Sequence, residues 1–236
     1  EFGLVLCTLL PFIAASNMIH RAAPTPRAPG RWLRRVGRFS SKLTPLWRFT
    51  VEGEPPADID HRAYVVVANH ESAADPFLLS HLPWDMRWIA KQELFKVPVT
   101  GWYMHLSGDI PLKRGSSESV KKMFDTAIET LRAGLSVMVF PEGTRSASGD
   151  LLPFKDGAFQ MAIEAGVPIL PIALAGTRDC RPKGSRWFGD ATAVARVLAP
   201  VSTAGMTLND LPTLRDSVRE TIGKNVRELR AARDRA

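Results

Sequence analysis

Two periods of apolar residues alternate along the chain. Residues 64–68 (Tyr-Val-Val-Val-Ala), 135–140 (Leu-Ser-Val-Met-Val-Phe) and 167–174 are short, mostly apolar runs, and they predict buried strands. Between the first two, Val120, Met123, Phe124, Ala127, Ile128 and Leu131 keep helical spacing, with Ser117 as a capping residue and Gly134 as the stop. Residues 156–165 predict a second helix, closed by Gly166. Near the C-terminus Leu211, Leu214, Val218, Ile222, Val226 and Leu229 form one stripe beside a strongly charged face. That pattern predicts a helix docking on the core, with a partner-binding helix as the alternative. The alternation points to one α/β domain with a central mixed β-sheet flanked by helices.

The N-terminal fifth departs from this pattern. Residues 2–19 are uncharged and largely apolar, interrupted by Pro11, at the short end for a bilayer span. Pro24, Pro26 and Pro29 then predict an extended linker over residues 22–30. Residues 1–51 hold eight basic residues and a single acid, Glu1, so they carry the whole net charge of +7. Nucleic acid would be the usual partner for such a balance, but the arginines alternate with Trp32, Leu33, Val36, Phe39 and Trp47. Apolar anchors among cations predict an interfacial helical segment on a lipid surface, preceded by an apolar run that spans the bilayer, lies in one leaflet or is a signal peptide; a buried core helix is the alternative. The chain therefore divides into a membrane-associating segment, 1–48, and a catalytic domain, 49–236. Cys7 and Cys180 sit in unrelated contexts, which predicts neither a disulfide framework nor a metal site and favours a reducing compartment.

The strand at 64–68 runs into Asn69-His70-Glu71-Ser72-Ala73-Ala74-Asp75, which sets an imidazole and a carboxylate five residues apart at a strand-to-helix turn. Asp75-Pro76 reads as a capping residue followed by proline in the first turn. A carboxylate on one ring nitrogen fixes the tautomer and leaves the other nitrogen free as a base, although the same pair also serves structural networks. The zinc pattern H-E-x-x-H fails, because position 74 is Ala74. The strand at 135–140 runs into Pro141-Glu142-Gly143-Thr144-Arg145-Ser146, which offers two hydroxyls and a bidentate cation to a phosphate, or forms an ordinary turn.

Taken together, these segments resemble the glycerophospholipid acyltransferase family, and most closely its 1-acyl-sn-glycerol-3-phosphate acyltransferases. His70 and Asp75 fit the family's H-x-x-x-x-D, and Phe140 to Ser146 reproduce its F-P-E-G-T-R-S. Gly108-Asp109-Ile110-Pro111-Leu112-Lys113-Arg114 resembles the second block, with Pro111-Leu112-Lys113 in place of an aromatic-apolar-acidic run. Val167-Pro168-Ile169-Leu170-Pro171-Ile172 resembles the fourth. The likeness runs from about residue 47 to residue 200. It implies direct acyl transfer from acyl-CoA or acyl carrier protein to the free hydroxyl of a lysophospholipid, with no cofactor, metal or acyl-enzyme. His70 is the implied base and Asp75 its orienting partner. Arg114, Glu142, Gly143, Thr144 and Arg145 are implied for the acceptor, while Lys91 faces either the developing oxyanion or solvent. The expected product is phosphatidate, and the expected location is a membrane, with the catalytic domain on its cytoplasmic side. Two rivals stand beside this: a relative using another acceptor, such as glycerol 3-phosphate or a lyso-aminolipid, and a non-catalytic lipid-binding protein.

Overall fold

The computed structural model describes residues 28–146, 148–180 and 188–235. Seven strands make one sheet: β1 (Trp47–Glu52), β2 (Val65–Ala68), β3 (Met86–Lys91), β4 (Ile110–Leu112), β5 (Ser136–Val139), β6 (Ile169–Ala175) and β7 (Ala191–Val197). Their order is β1-β7-β6-β2-β5-β3-β4. Neighbours are parallel except β6 and β7, so the sheet is mixed, as its sequence predicts. The parallel strands β2 to β6 are joined by α2 (Asp75–Leu79), α3 (Thr100–Ser107), α4 (Ser117–Arg132) and α5 (Gly157–Ala165). Two further helices flank them, α1 (Ala28–Leu43) and the C-terminal α7 (Leu211–Arg233), and α6 (Thr177–Cys180) is a single turn after β6.

Alternation along β2 sorts the core. Val65 and Val67 face a layer made by α4, α5 and α7, while Tyr64, Val66 and Ala68 face Leu78, Leu79 and Trp84 around α2. All six stripe residues of α7 are buried against the first layer, so this helix docks on the core. Two caps differ in detail from the sequence reading. Ser116, one residue earlier than Ser117, accepts the Ser119 amide at the start of α4. Asp75 lies inside the first turn of α2, with Ala74 at the cap and no side-chain cap bond. The Asp75 carboxylate turns back toward the loop that precedes it.

Residues 2–19, and with them the apolar run, Cys7, His20 and most of the expected linker, lie outside the described residues. No helix among the described residues is long and apolar enough to cross a membrane. From Ala28 onward the basic segment is helical and packs on the domain: Val36 meets Tyr103 of α3, with Trp32, Leu33, Val99 and Leu106 around them. β1 starts at Trp47, two residues before the expected domain boundary. Two residues expected at the lipid surface are held by the domain instead, Arg34 fully and Trp47 in part. Arg34 is buried, donates to the Met86 carbonyl at 2.6 Å and pairs with Asp85. Burial lowers its pKa to about 10. Trp47 stacks on Phe49 and packs against Phe77 and Phe188. An arginine at helical spacing looks like a surface residue until its partner, here far along the chain, is brought beneath it.

Candidate active site

β2 ends at Ala68, and the next side chain imitates one more ladder residue. Asn69 Nδ2 donates to the Leu174 carbonyl at 3.0 Å, and Leu174 N donates to Asn69 Oδ1 at 2.8 Å. The chain can then leave the sheet at His70 without orphaning backbone groups of β6. His70 is gripped on every side but one. Its N–H donates to Glu142 Oε1 at 2.7 Å, its carbonyl accepts from Ser146 N at 3.1 Å, and its ring stacks on Phe140 at 4.1 Å between centroids. Nδ1 donates to Asp75 Oδ2 at 2.6 Å. That bond assigns the proton to Nδ1 and leaves the Nε2 lone pair free. The side chain is one-fifth exposed (20%), so Nε2 is reachable while Asp75, at 0%, is sealed.

Asp75 is saturated with donors. Oδ2 also accepts from Glu71 N at 2.8 Å and Ser72 N at 3.0 Å, and Oδ1 accepts the hydroxyl of Thr177. Buried charge survives when it is bonded in this way, and the same bonds fix the angle at which the carboxylate meets the imidazole. Thr177 is delivered by Gly176, whose φ of +98° suits glycine, and a Cβ there would lie 2.2 Å from the Thr192 carbonyl oxygen. A second buried acid, Glu71, accepts from Gly176 N at 3.0 Å and pairs with Arg230 of α7 at 2.6 Å. Arg230 also donates to the Gly149 carbonyl at 2.6 Å. Burial raises the Glu71 pKa, and Arg230 opposes that rise.

Glu142, expected at the acceptor, engages both carboxylate oxygens within the protein. Its Oε1 holds His70 N, its Oε2 holds Leu152 N at 2.9 Å, and the residue is buried. Burial is also the main cause of its raised pKa. It is a strut between two loops. Gly143 closes a turn by donating from its N–H to the Phe140 carbonyl at 3.0 Å, with a φ of +67°. Beyond it Thr144 and Arg145 are exposed. Arg114 is exposed two residues after β4. Lys91 ends β3 at the surface, 3.7 Å from Glu93.

His70, Arg145, Lys91 and Arg114 lie at or just beyond the C-terminal ends of parallel neighbours, in the order β2 (His70), β5 (Arg145), β3 (Lys91) and β4 (Arg114). With ~4.8 Å between strands, Arg145 belongs to the loop beside His70 and Arg114 to one ~14 Å away. Sequence reasoning missed Asn69, Glu71 and Ser72 as parts of the machinery, although they lie inside the quoted motif. It also missed Thr177 and Arg230, which carry no local signal.

The chemistry available is proton transfer at Nε2. Ser72 and Ser146 use their hydroxyl oxygens to accept backbone amides of Ala74 and Gly149. Cys180 is fully buried, and burial pushes its thiol up to about 12. Among the described residues no side-chain hydroxyl or thiol bonds Nε2, and a base of this kind beside the exposed Arg145 suits activation of a substrate hydroxyl that carries negative charge nearby.

The chain belongs to the Acyltransferase family, whose sequence profile matches residues 48–175. Human 1-acyl-sn-glycerol-3-phosphate acyltransferase alpha is 39% identical over 168 residues, covering 70% of this chain and 59% of that protein. The chloroplastic 1-acyl-sn-glycerol-3-phosphate acyltransferase BAT2 of Brassica napus is 37% identical over 161 residues, covering 66% of this chain and 47% of that one. The chain thus spans about half the length of these curated relatives. The crystal structure of the 1-acyl-sn-glycerophosphate acyltransferase PlsC from Thermotoga maritima superposes with a TM-score of 0.77 at 29% identity, over 98% of this chain and 93% of that one.

Proposed function

We propose that this protein transfers a fatty acyl group from an acyl thioester to the free hydroxyl of 1-acyl-glycerol 3-phosphate, forming phosphatidate. The observation that carries this reading is the open Nε2 of His70 opposite a 2.6 Å bond from Nδ1 to buried Asp75. The names of the relatives supply the acceptor. His70 Nε2 takes the hydroxyl proton as the acceptor oxygen bonds to the thioester carbonyl carbon. The carbon–sulfur bond then breaks, and the thiolate leaves with the proton returned by the imidazolium. Asp75 stabilises that imidazolium without taking its proton. Arg145, on the loop tied to His70 by the Ser146 amide, meets the acceptor phosphate. The donor is acyl-CoA or acyl carrier protein. The chain works at a membrane, with its catalytic domain on the cytoplasmic face, held there by its N-terminal segment.

The test is turnover of the purified protein with lysophosphatidate, glycerol 3-phosphate and lyso-aminolipids, each with both donors. Lysophosphatidate should be preferred, and His70→Ala should lower kcat by ~10²–10⁴-fold while leaving the fold unchanged. Preference for another acceptor would reassign the substrate, and near-normal turnover in His70→Ala would remove the proposed base.

A further inference from the structure

β1 is the edge strand, and α1 only partly roofs it. Trp47, Phe49 and Val51 point to the covered face yet stay half-buried, and between them and α1 lies a cleft of about 470 Å³. Its apolar wall is built: Trp47 and Phe49 stack at 5.4 Å, and His81 meets Phe49 edge-on at 5.9 Å. Its rim is cationic. Arg38 and Lys42, one helical turn apart, are exposed and line the opening.

The imidazole of His81 is fixed between wall and rim. Ser41 donates its only hydroxyl proton to the Arg38 carbonyl at 2.9 Å, so its oxygen accepts from His81 Nε2 at 2.8 Å. Because Ser41 is committed in this way, the pair is not a nucleophile with its base. Burial chiefly, and the two cations beside it, lower the His81 pKa to about 4. The ring is therefore neutral in a cleft whose rim cations are exposed to solvent.

One further feature of α1 points to the occupant. Phe39 and Leu43 run beside the Arg38–Lys42 row and are 51% and 48% exposed. An apolar row beside a cationic row is how a helix lies at the level of lipid phosphates. We infer that the cleft between α1, β1 and the end of α2 is a binding site for the phosphate headgroup of an anionic phospholipid. Arg38 and Lys42 bond the phosphate, and the glycerol backbone rests on Trp47 and Phe49. The site is separate from His70 and differs from diffuse attraction to a charged surface, because it holds one lipid in a defined seat.

His81 is the reporter, since an anion beside it cancels the repulsion from both cations. NMR of the histidine-labelled full chain is followed while dihexanoyl phosphatidate, inorganic phosphate or dihexanoyl phosphatidylcholine is added. Phosphatidate should move the His81 signals saturably, and R38Q/K42Q should weaken that binding roughly tenfold or more. Phosphatidylcholine should leave them in place. Phosphatidate also reaches the catalytic site as the product, but R38Q/K42Q leaves that component intact. Four outcomes overturn the inference: no shift, an unchanged affinity in R38Q/K42Q, an equal response to phosphatidylcholine, or inorganic phosphate binding as tightly as the lipid. The last would mark a site for free phosphate. The readout is binding, so it stands or falls independently of acyl transfer.

Discussion

Asp75 spends one oxygen on His70 and two backbone amides and the other on a single hydroxyl, from Thr177. Thr177→Val keeps the shape and deletes that donor from a sealed site, leaving the carboxylate under-bonded and free to rotate. A hydrogen bond to a charged group is worth ~1.5–3 kcal/mol, so kcat should fall about tenfold or more, with KM for both substrates unchanged. Thr177→Ser should restore the rate; rescue failing, or a loss seen only in KM, would deny Thr177 a positioning role. The two arginines separate in the same way. Arg145→Ala should raise KM for the acceptor roughly tenfold to a hundredfold, and Arg114→Ala, three strands from β2, should raise it less. Equal effects in acceptor titrations would place the phosphate between them. The His70–Asp75 pair was legible because both residues stand in one short motif after an apolar strand. Thr177 was not, because its partner is 102 residues away and nothing local marks it.

At the scale of elements, the strands at 65–68, 136–139 and 169–175 and helices α4 and α5 were legible from period and punctuation. β1 was not, since a half-exposed edge strand lacks the apolar density of a buried one, and β7, although interior, was not because Thr192, Arg196 and three alanines dilute its apolar run. The C-terminal helix was read for its apolar stripe, and its charged face for a solvated surface. That face supplies Arg230, which bonds both Glu71 in the His70 loop and the Gly149 carbonyl beyond Arg145. Helix α7 thus clamps the two loops that carry the site. Arg230→Ala leaves the Glu71 carboxylate buried with the Gly176 amide as its donor. Its folded pKa is already raised, and losing the opposing cation raises it further, so the folded state then favours the protonated form more strongly. The variant's stability deficit should therefore grow as pH rises above the ordinary carboxylate range and shrink in acid. Urea unfolding at several pH values measures this, and Glu71→Gln in the same chain should flatten the dependence. A deficit independent of pH would mean that Arg230 acts through packing alone.

Across the whole molecule, α1 is joined to the sheet through buried charge. Arg34 reaches Asp85 and the Met86 carbonyl, and Asp109 accepts from Trp88 N at 3.0 Å close by. Burial raises the Asp109 pKa to about 6, against the pull of its hydrogen bond from Trp88 and of Arg34. The sign follows from linkage. A carboxyl that holds its proton more tightly folded than unfolded favours folding while protonated, and that contribution is lost as pH climbs through the folded value. Between about pH 4 and about pH 6 this group should lower the unfolding free energy by ~2–3 kcal/mol, at ~1.4 kcal/mol for each unit between the two pKa values. Asp109→Asn keeps an oxygen for Trp88 N and removes the titration. The difference in stability between parent and variant should thus widen in the variant's favour from pH 4 to pH 6 and then level off. Urea midpoints at matched ionic strength give that difference directly, and a gap constant with pH would show that Asp109 is ionised throughout. The same measurement bears on how firmly the α1 face is built. With Arg34 held inward by Asp85 and the nearby Asp109, the outward cations of α1 are Arg31, Arg35, Arg38 and Lys42, and of these Arg38 and Lys42 line the cleft.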